Sequence, residues 1–202
     1  MDSNNPHLLK RHSLFAMFCL SYLPLFLLLS IKILVANKMY LNYGGINGKA
    51  IFIFLKKFGF IILLIALTFY AFLGTAITLK NISKKKGNSF PVIIKSIKLK
   101  NEEALSYLST YVIPLLMPGT IGIFEYATFG ILFMIYYRLY STSSLILINP
   151  ILNLRYGLFE IEYTTDDAQK TNNALIISKQ QWLEEGDELK ILKLSHRLYF
   201  AY

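Results

Sequence analysis

Four long apolar stretches dominate the first three quarters of this 202-residue chain. They cover residues 13–35, 58–79, 104–123 and 127–149. A helix that rises ~1.5 Å per residue needs about 20 residues to cross ~30 Å of hydrocarbon, and none of the four stretches is shorter than that. We therefore predict an α-helical integral membrane protein with four transmembrane helices in residues 1–150.

Residues 151–202 follow a different pattern. Apolar and polar residues alternate at 158–163 and again at 189–194, which is typical of half-buried strands. Apolar segments at 175–177 and 198–202 predict two more short strands. We expect this tail to form a small C-terminal cytoplasmic β-rich domain, such as a partly closed barrel.

The formal net charge of +9 is unevenly distributed. Residues 1–150 carry 15 Lys and Arg against 4 Asp and Glu, whereas residues 151–202 carry 6 against 8. Seven lysines and no acid lie within 80–100, and Lys10 and Arg11 precede the first stretch. Because cytoplasmic loops collect Lys and Arg, we predict a multi-pass protein with both termini in the cytoplasm. Four lysines within 36–57 count against this topology.

Several lysines after the second stretch are candidates for contact with anionic lipid headgroups: Lys84, Lys85, Lys86, Lys95 and Lys98. The last two lie in a segment whose apolar residues recur at spacings of three and four: Phe90, Ile93, Ile94 and Ile97. This spacing predicts an amphipathic helix lying in the membrane interface. Alternation at 97–100 favours a short strand instead.

Polar residues within the third and fourth stretches have two interpretations. The third stretch contains a candidate polar seam or pore lining: Ser106, Ser109, Thr110 and Pro114. The same residues are equally consistent with simple helix–helix packing. Arg138 falls near the middle of the fourth stretch, where an unpaired guanidinium is costly, so it faces a polar interior. Alternatively, this span is shorter and earlier, covering residues 121–137, and places Arg138 at the inner interface.

Catalytic and metal-binding patterns are absent from the sequence. Cys19 is the single cysteine, and no carboxylate spacing makes a ligand set with His7, His12 or His196. No phosphate-binding glycine loop and no nucleophile motif occurs. We predict a protein that is not an enzyme and has no cofactor. Because the lysines flank apolar spans, we expect lipid as their partner and no direct nucleic-acid binding.

Two blocks of sequence resemble the KwaA family, the membrane subunit of the Kiwa anti-phage defence system. The first is residues 103–114, and the second is residues 148–157 leading into 159–161. The second block holds the motif residues Asn149, Pro150, Asn153, Tyr156 and Gly157. The resemblance implies a homo-oligomeric sensor in the bacterial inner membrane. It also implies a cytoplasmic partner, a KwaB-like effector that binds DNA and meets the C-terminal domain.

Two functional hypotheses follow. In the first, the protein is a membrane-embedded sensor and scaffold that detects infection and recruits or activates the cytoplasmic effector. In the second, it is a small oligomeric ion channel or pore-forming protein, with Arg138 favouring anions.

Overall fold

A layer of helices packs against a closed five-stranded β-barrel. The computed structural model describes residues 9–42, 45–99, 123–142, 149–165, 168–180, 182–194 and 197–202. Its α-helices are α1 (Arg11–Ser21), α2 (Leu23–Ala36), α3 (Gly48–Lys84), α4 (Ile123–Thr142) and the short α5 (Pro150–Asn153). Its strands are β1 (Phe90–Leu99), β2 (Gly157–Thr165), β3 (Ala168–Ser178), β4 (Glu188–Lys193) and β5 (Leu198–Ala201).

The first apolar stretch forms two helices rather than one. Helices α1 and α2 meet at an angle of 54°. Pro24 lies in the first turn of α2, where its missing N–H leaves the Leu20 carbonyl without an i+4 donor and its ring crowds that carbonyl. The Ser21 hydroxyl donates to the Phe18 carbonyl at 2.7 Å and so supports the end of α1.

Helix α3 contains the second apolar stretch and extends beyond it at both ends. Its 37 residues measure about 55 Å. Asn47 caps its start, because the Asn47 side-chain oxygen accepts from the Ala50 N–H at 2.7 Å. Lys84 ends the helix, where a cation is favourable beside the free carbonyls.

The prediction of four transmembrane helices is wrong. In the described part of the chain, α3 is the one helix that is long and apolar enough to cross a membrane, and the bent α1–α2 pair is a second if it counts as one span. Helix α4 has 20 residues but contains Glu125, Arg138 and four tyrosines, which lower its mean hydropathy. The third stretch lies almost wholly outside the described residues, and so does the end of the fourth.

Small side chains bring α1 and α3 into close contact. Ala71, Thr75 and Thr78 are buried on α3, and Ala16 is buried on α1. A Cβ atom added to Gly74 would lie 2.5 Å from the Ala16 Cβ, so the two backbones approach closely only because residue 74 is glycine. Small residues at such spacings are typical of helices that pack inside membranes.

Helix α4 packs on the bent pair through aromatic rings. The Phe133 ring centroid lies 4.9–6.4 Å from four aromatic rings of α1, α2 and the residue between them: Phe15, Phe18, Tyr22 and Phe26. Phe129 lies between Phe26 and Phe60, at 6.5 and 5.6 Å. Tilted and edge-to-face pairs of this kind add to the energy of simple burial.

The barrel strands follow the order β1-β2-β3-β5-β4, and β4 closes on β1. Strands β3 and β5 are parallel, and every other neighbouring pair is antiparallel. This is the connectivity of the five-stranded OB-fold barrel. Residues 100–156, which include α4 and α5, form the connection from β1 to β2.

The segment predicted as an interfacial amphipathic helix is strand β1, as the competing alternation indicated. Its β-branched residues favour an extended backbone, and they fill the gap between β2 and β4. Val92 and Ile94 face the barrel interior, whereas Lys95 and Lys98 are exposed. The β-rich unit is therefore not made of residues 151–202 alone.

Two apolar clusters divide the barrel residues by face. The interior cluster contains alternate residues of the strands, such as Phe159, Ile161 and Ile176. The intervening residues Leu158 and Ile177 belong to a second cluster, which continues into the helices. The barrel is thus apolar on its inside and also on the outer face that meets the helix ends.

Replacing Gly74 with alanine should separate α1 from α3. The new Cβ would overlap Ala16, and overpacking of this kind costs about 1–3 kcal/mol. The matched control is Gly59→Ala in the same helix, where no atom lies within 4 Å of the added Cβ. We expect the control to leave the midpoint of thermal unfolding in detergent unchanged or raised, and Gly74→Ala to lower it. Equal midpoints for the two variants would contradict this packing.

Candidate functional site

Besides the direct chain connection from α3 to β1, two segments hold the barrel to the helices by hydrogen bonds, and together we call them the coupling site. One is the segment 149–157, which links the helices to β2, and the other is the C-terminal residue Tyr202. Each segment makes a long-range hydrogen bond to the backbone of a helix. The site therefore contains every motif residue of the second sequence block.

Asn149 uses both ends of its buried side chain. Its Nδ2 donates to the Met17 carbonyl of α1 at 2.9 Å, across 132 positions of sequence. Its Oδ1 accepts from the N–H groups of Ile151 and Leu152, both at 3.1 Å, and so caps α5. Pro150 occupies the first turn of α5, where its fixed φ angle suits a helix start. One amide thus connects α1, α5 and the entry to β2.

Tyr156 and Gly157 make the transition from α5 into β2. Tyr156 is buried, and its ring packs edge-on against Phe200 with centroids 6.0 Å apart. A Cβ at Gly157 would overlap the Phe159 ring and lie 2.6 Å from the Gln180 carbonyl oxygen. Only glycine therefore lets the chain pass between these groups. Asn153 is the last residue of α5.

Tyr202 connects the barrel to the end of α3. Its hydroxyl donates to the Ile82 carbonyl at 2.8 Å, across 120 positions of sequence. The Lys86 Nζ lies 5.3 Å from the centroid of the Tyr202 ring, within range of a cation–π contact. Burial raises the pKa of the Tyr202 hydroxyl, which keeps it protonated and able to donate.

A continuous apolar cluster surrounds these two hydrogen bonds. It contains helix residues together with residues from the outer face of the barrel, among them Phe18, Ile82, Tyr140, Leu192 and Phe200. The Ile82 carbonyl also accepts from the Lys85 N–H at 2.9 Å. The bonds to the Met17 and Ile82 carbonyls are two points at which the barrel is held to the helices.

The predicted polar seam is only partly within the described residues. Ser106, Ser109, Thr110 and Pro114 lie outside them. Arg138 is exposed on α4, four residues before the helix ends at Thr142. On its two sides Tyr137 and Tyr140 pack against Phe18, with ring centroids 5.3 and 5.2 Å away.

The five candidate lipid-contacting lysines are divided between two elements. Lys84, Lys85 and Lys86 are exposed where α3 ends beside Tyr202. Lys95 and Lys98 are exposed on β1, and Lys98 stands opposite Glu160 in the β1–β2 register. Among the described residues, no group of three His, Cys, Asp or Glu could hold a metal ion.

Sequence reasoning missed Tyr202 and Met17. Met17 contributes only a backbone carbonyl, for which the sequence contains no signal. Tyr202 follows the fully apolar run 198–201, and an aromatic hydroxyl after such a run is the one available hint.

Changing Asn149 to aspartate should weaken the coupling site while keeping the cap of α5. The carboxylate still accepts from α5 but cannot donate to Met17, so we expect a loss of about 1–3 kcal/mol in the free energy of unfolding. Asn47→Asp is the control, because Asn47 also caps a helix but does so within its own turn. Faster proteolysis between helices and barrel in the first variant alone is the expected result. Equal sensitivity of the two would argue against the bond to Met17.

Alkaline pH should loosen the contact at Tyr202. Because burial raises its pKa, the unfolded chain ionises first, near the usual value of about 10. The stability that this group contributes is therefore complete below pH ~10 and is lost as the pH rises further. Tyr202→Phe should lose about 0.5–1.5 kcal/mol at neutral pH and show a smaller alkaline loss in denaturant titrations. Some alkaline loss should remain, since burial and a hydrogen bond with Tyr199 also raise the pKa of Tyr163. An unchanged alkaline profile in the variant would speak against a role of this hydroxyl.

Comparison with known proteins gives one positive result. The family model described as "Anti-phage protein KwaA" matches residues 13–200. No curated protein and no solved structure matches the chain. The matched range contains both sequence blocks, the segment 149–157 and all of the helices and strands except the first two residues of α1 and the last residue of β5. It confirms the resemblance drawn from the sequence. The chain belongs to the KwaA family of anti-phage proteins.

Proposed function

We propose that this protein is a sensor and scaffold at the bacterial inner membrane, which passes a disturbance of its helices to a cytoplasmic effector through the barrel. The observation that carries the proposal is the coupling site. Hydrogen bonds from Asn149 to Met17 and from Tyr202 to Ile82 connect the barrel to α1 and to α3, which pack against each other. A relative shift of α1 and α3 therefore has to strain one of these bonds or move the barrel.

The apolar surface of α3 supports placement in a membrane. Several of its large apolar side chains are more than half exposed: Leu63, Phe69, Phe72, Leu73 and Ile77. Contiguous exposure on this scale indicates a lipid or protein contact. Helix α4 adds Ile131 and Met134, which we propose as contacts with further copies of the chain.

The charges support a cytoplasmic barrel. Lys84, Lys85 and Lys86 lie where α3 ends, next to Tyr202 of the barrel. Cytoplasmic flanks of membrane helices collect such cations. We propose that the lysines at the end of α3 contact anionic headgroups there.

The loop between β3 and β4 supports binding of an effector to the barrel. Trp182, the single tryptophan, is 83% exposed, whereas its neighbour Leu183 is buried in the barrel. The Asp187 carboxylate accepts from the Glu184 N–H at 2.9 Å and holds the loop. An exposed Trp on a loop that is held in place is a common binding hot spot in protein interfaces. Membership of the family suggests a KwaB-like protein as the partner.

The barrel surface does not favour nucleic acid. OB-fold barrels that bind oligonucleotides use the outer face of β2 and β3. Here that face carries Glu160 and Glu162, which repel phosphates. We therefore propose that DNA binding belongs to the effector, and that this chain is neither an enzyme nor a nucleic-acid-binding protein.

The proposal predicts that Trp182→Ala separates membrane association from effector binding. In cells carrying the complete defence locus, carbonate-washed membranes should retain both the wild-type chain and the effector. Membranes with Trp182→Ala should retain the chain but lose at least about tenfold of the effector, since a central interface Trp contributes ~2 kcal/mol or more. Lys179→Ala, an exposed change in the same loop, is the control. Release of the wild-type chain by carbonate, or effector binding unaffected by Trp182→Ala, would overturn the proposal.

A further inference from the structure

An apolar pocket lies at the end of the helices farthest from the barrel. It has a volume of about 220 Å³ and lies between the 3-10 helix Lys38–Asn42 and the first turns of α3. Its walls include six apolar or aromatic side chains: Tyr40, Leu41, Ile46, Ile51, Phe54 and Leu55. Ile46 is 97% exposed, so this apolar surface is open to its surroundings.

The position of the pocket follows from the course of α3. The helix reaches the barrel at Ile82, whose carbonyl accepts from Tyr202. The pocket residue Phe54 lies 28 positions earlier, about 42 Å away along the helix axis. The apolar stretch 58–79 lies between the two and is long enough to cross ~30 Å of hydrocarbon. If α3 spans a bilayer, the pocket therefore lies in the headgroup region of the opposite leaflet.

The surroundings of the pocket are strongly basic. Residues 37–57 contain four lysines and no acid. Lys38 is exposed on the 3-10 helix that supplies Tyr40 and Leu41 to the pocket wall, and the Lys57 Nζ lies 4.6 Å from the centroid of the Tyr40 ring. Lys49 and Lys56 lie on the opposite face of α3 from the wall residues. Cations at the rim of an apolar cavity match a ligand with an anionic head and an apolar tail. These are the same lysines that counted against a simple charge-based topology.

We propose that this pocket binds an anionic phospholipid of the leaflet opposite the barrel. Lys38 and Lys57 hold the phosphate, and the apolar walls receive the first part of an acyl chain. A bound lipid satisfies both the surplus of cations and the exposed apolar surface, whereas neither water nor a neutral lipid satisfies both. The proposal rests on the membrane placement of α3 given above.

The test places a fluorophore in the pocket wall. Phe54→Trp in a Trp182→Phe background leaves one tryptophan, which dibrominated acyl chains quench on contact. Two nanodisc preparations have the same overall charge and differ in which lipid carries the bromines. In the first, one fifth of the lipid is dibrominated phosphatidylglycerol and the rest is phosphatidylcholine. In the second, one fifth is dibrominated phosphatidylcholine, and the rest is unlabelled phosphatidylglycerol and phosphatidylcholine. We expect the labelled anionic lipid to quench about twofold more than the labelled neutral lipid.

Charge variants show whether the preference comes from these lysines. Lys38→Gln and Lys57→Gln together should abolish the preference, and the two corresponding changes to arginine should retain it. The control removes the same charge from the barrel, with Lys179→Gln and Lys190→Gln. Equal quenching by the two lipids, in the Phe54→Trp protein with all of its lysines retained, overturns this inference but leaves the proposed function intact. Absence of quenching by either lipid contradicts the membrane placement itself, and with it both proposals.

Discussion

Burial of strand β5 on both of its faces makes the barrel and the helices one structural unit. Tyr199 and Ala201 point into the barrel, whereas Leu198 and Phe200 join the cluster that continues into the helices. A barrel in water would expose this second face, at a cost of about 25 cal/mol for each Å² of apolar area. The helix ends supply the cover, and the hydrogen bonds of Asn149 and Tyr202 fix its orientation.

The order of the elements strengthens this dependence. Strand β1 leaves the barrel at Leu99, and the chain returns at Gly157, so α4 and α5 form an excursion from within the barrel. The barrel closes only when β1 pairs with both β2 and β4. A displacement of α4 against the aromatic rings of α1 therefore acts on the connection that carries Asn149. We propose that a change among the helices reaches the barrel surface through this connection.

The sequence predicted some of these features for sound physical reasons. Alternation predicted β2 and β4 because each has one face inside the barrel, and the run of apolar residues in β5 reflects its burial on both faces. The prediction of a helix over residues 90–97 is wrong, although apolar residues at spacings of three and four fit a helix when this segment is considered alone. Pairing with β2 and β4 decides in favour of a strand, and such long-range partners are invisible in a single local pattern. The bond from Asn149 to Met17 is missed for the same reason, although the resemblance placed Asn149 in the motif.

The prediction of four membrane spans is wrong because length and apolar content alone do not include the local geometry of the chain. Pro24 divides the first stretch, and Arg138 and Glu125 reduce the apolar character of α4. Within the described part of the chain this leaves one continuous helix, α3, whose two ends carry the lysine-rimmed pocket and the Ile82 carbonyl. The ladder of backbone hydrogen bonds in a helix resists stretching, so lipid binding at one end can reach the other only as a tilt or a shift of the whole helix. Gly74 lies between the two ends of α3, and a Cβ atom added to it would overlap the Ala16 side chain of α1. Because the two helices are in such close contact, we expect a movement of α3 to move α1 and, with it, the Met17 carbonyl to which Asn149 donates.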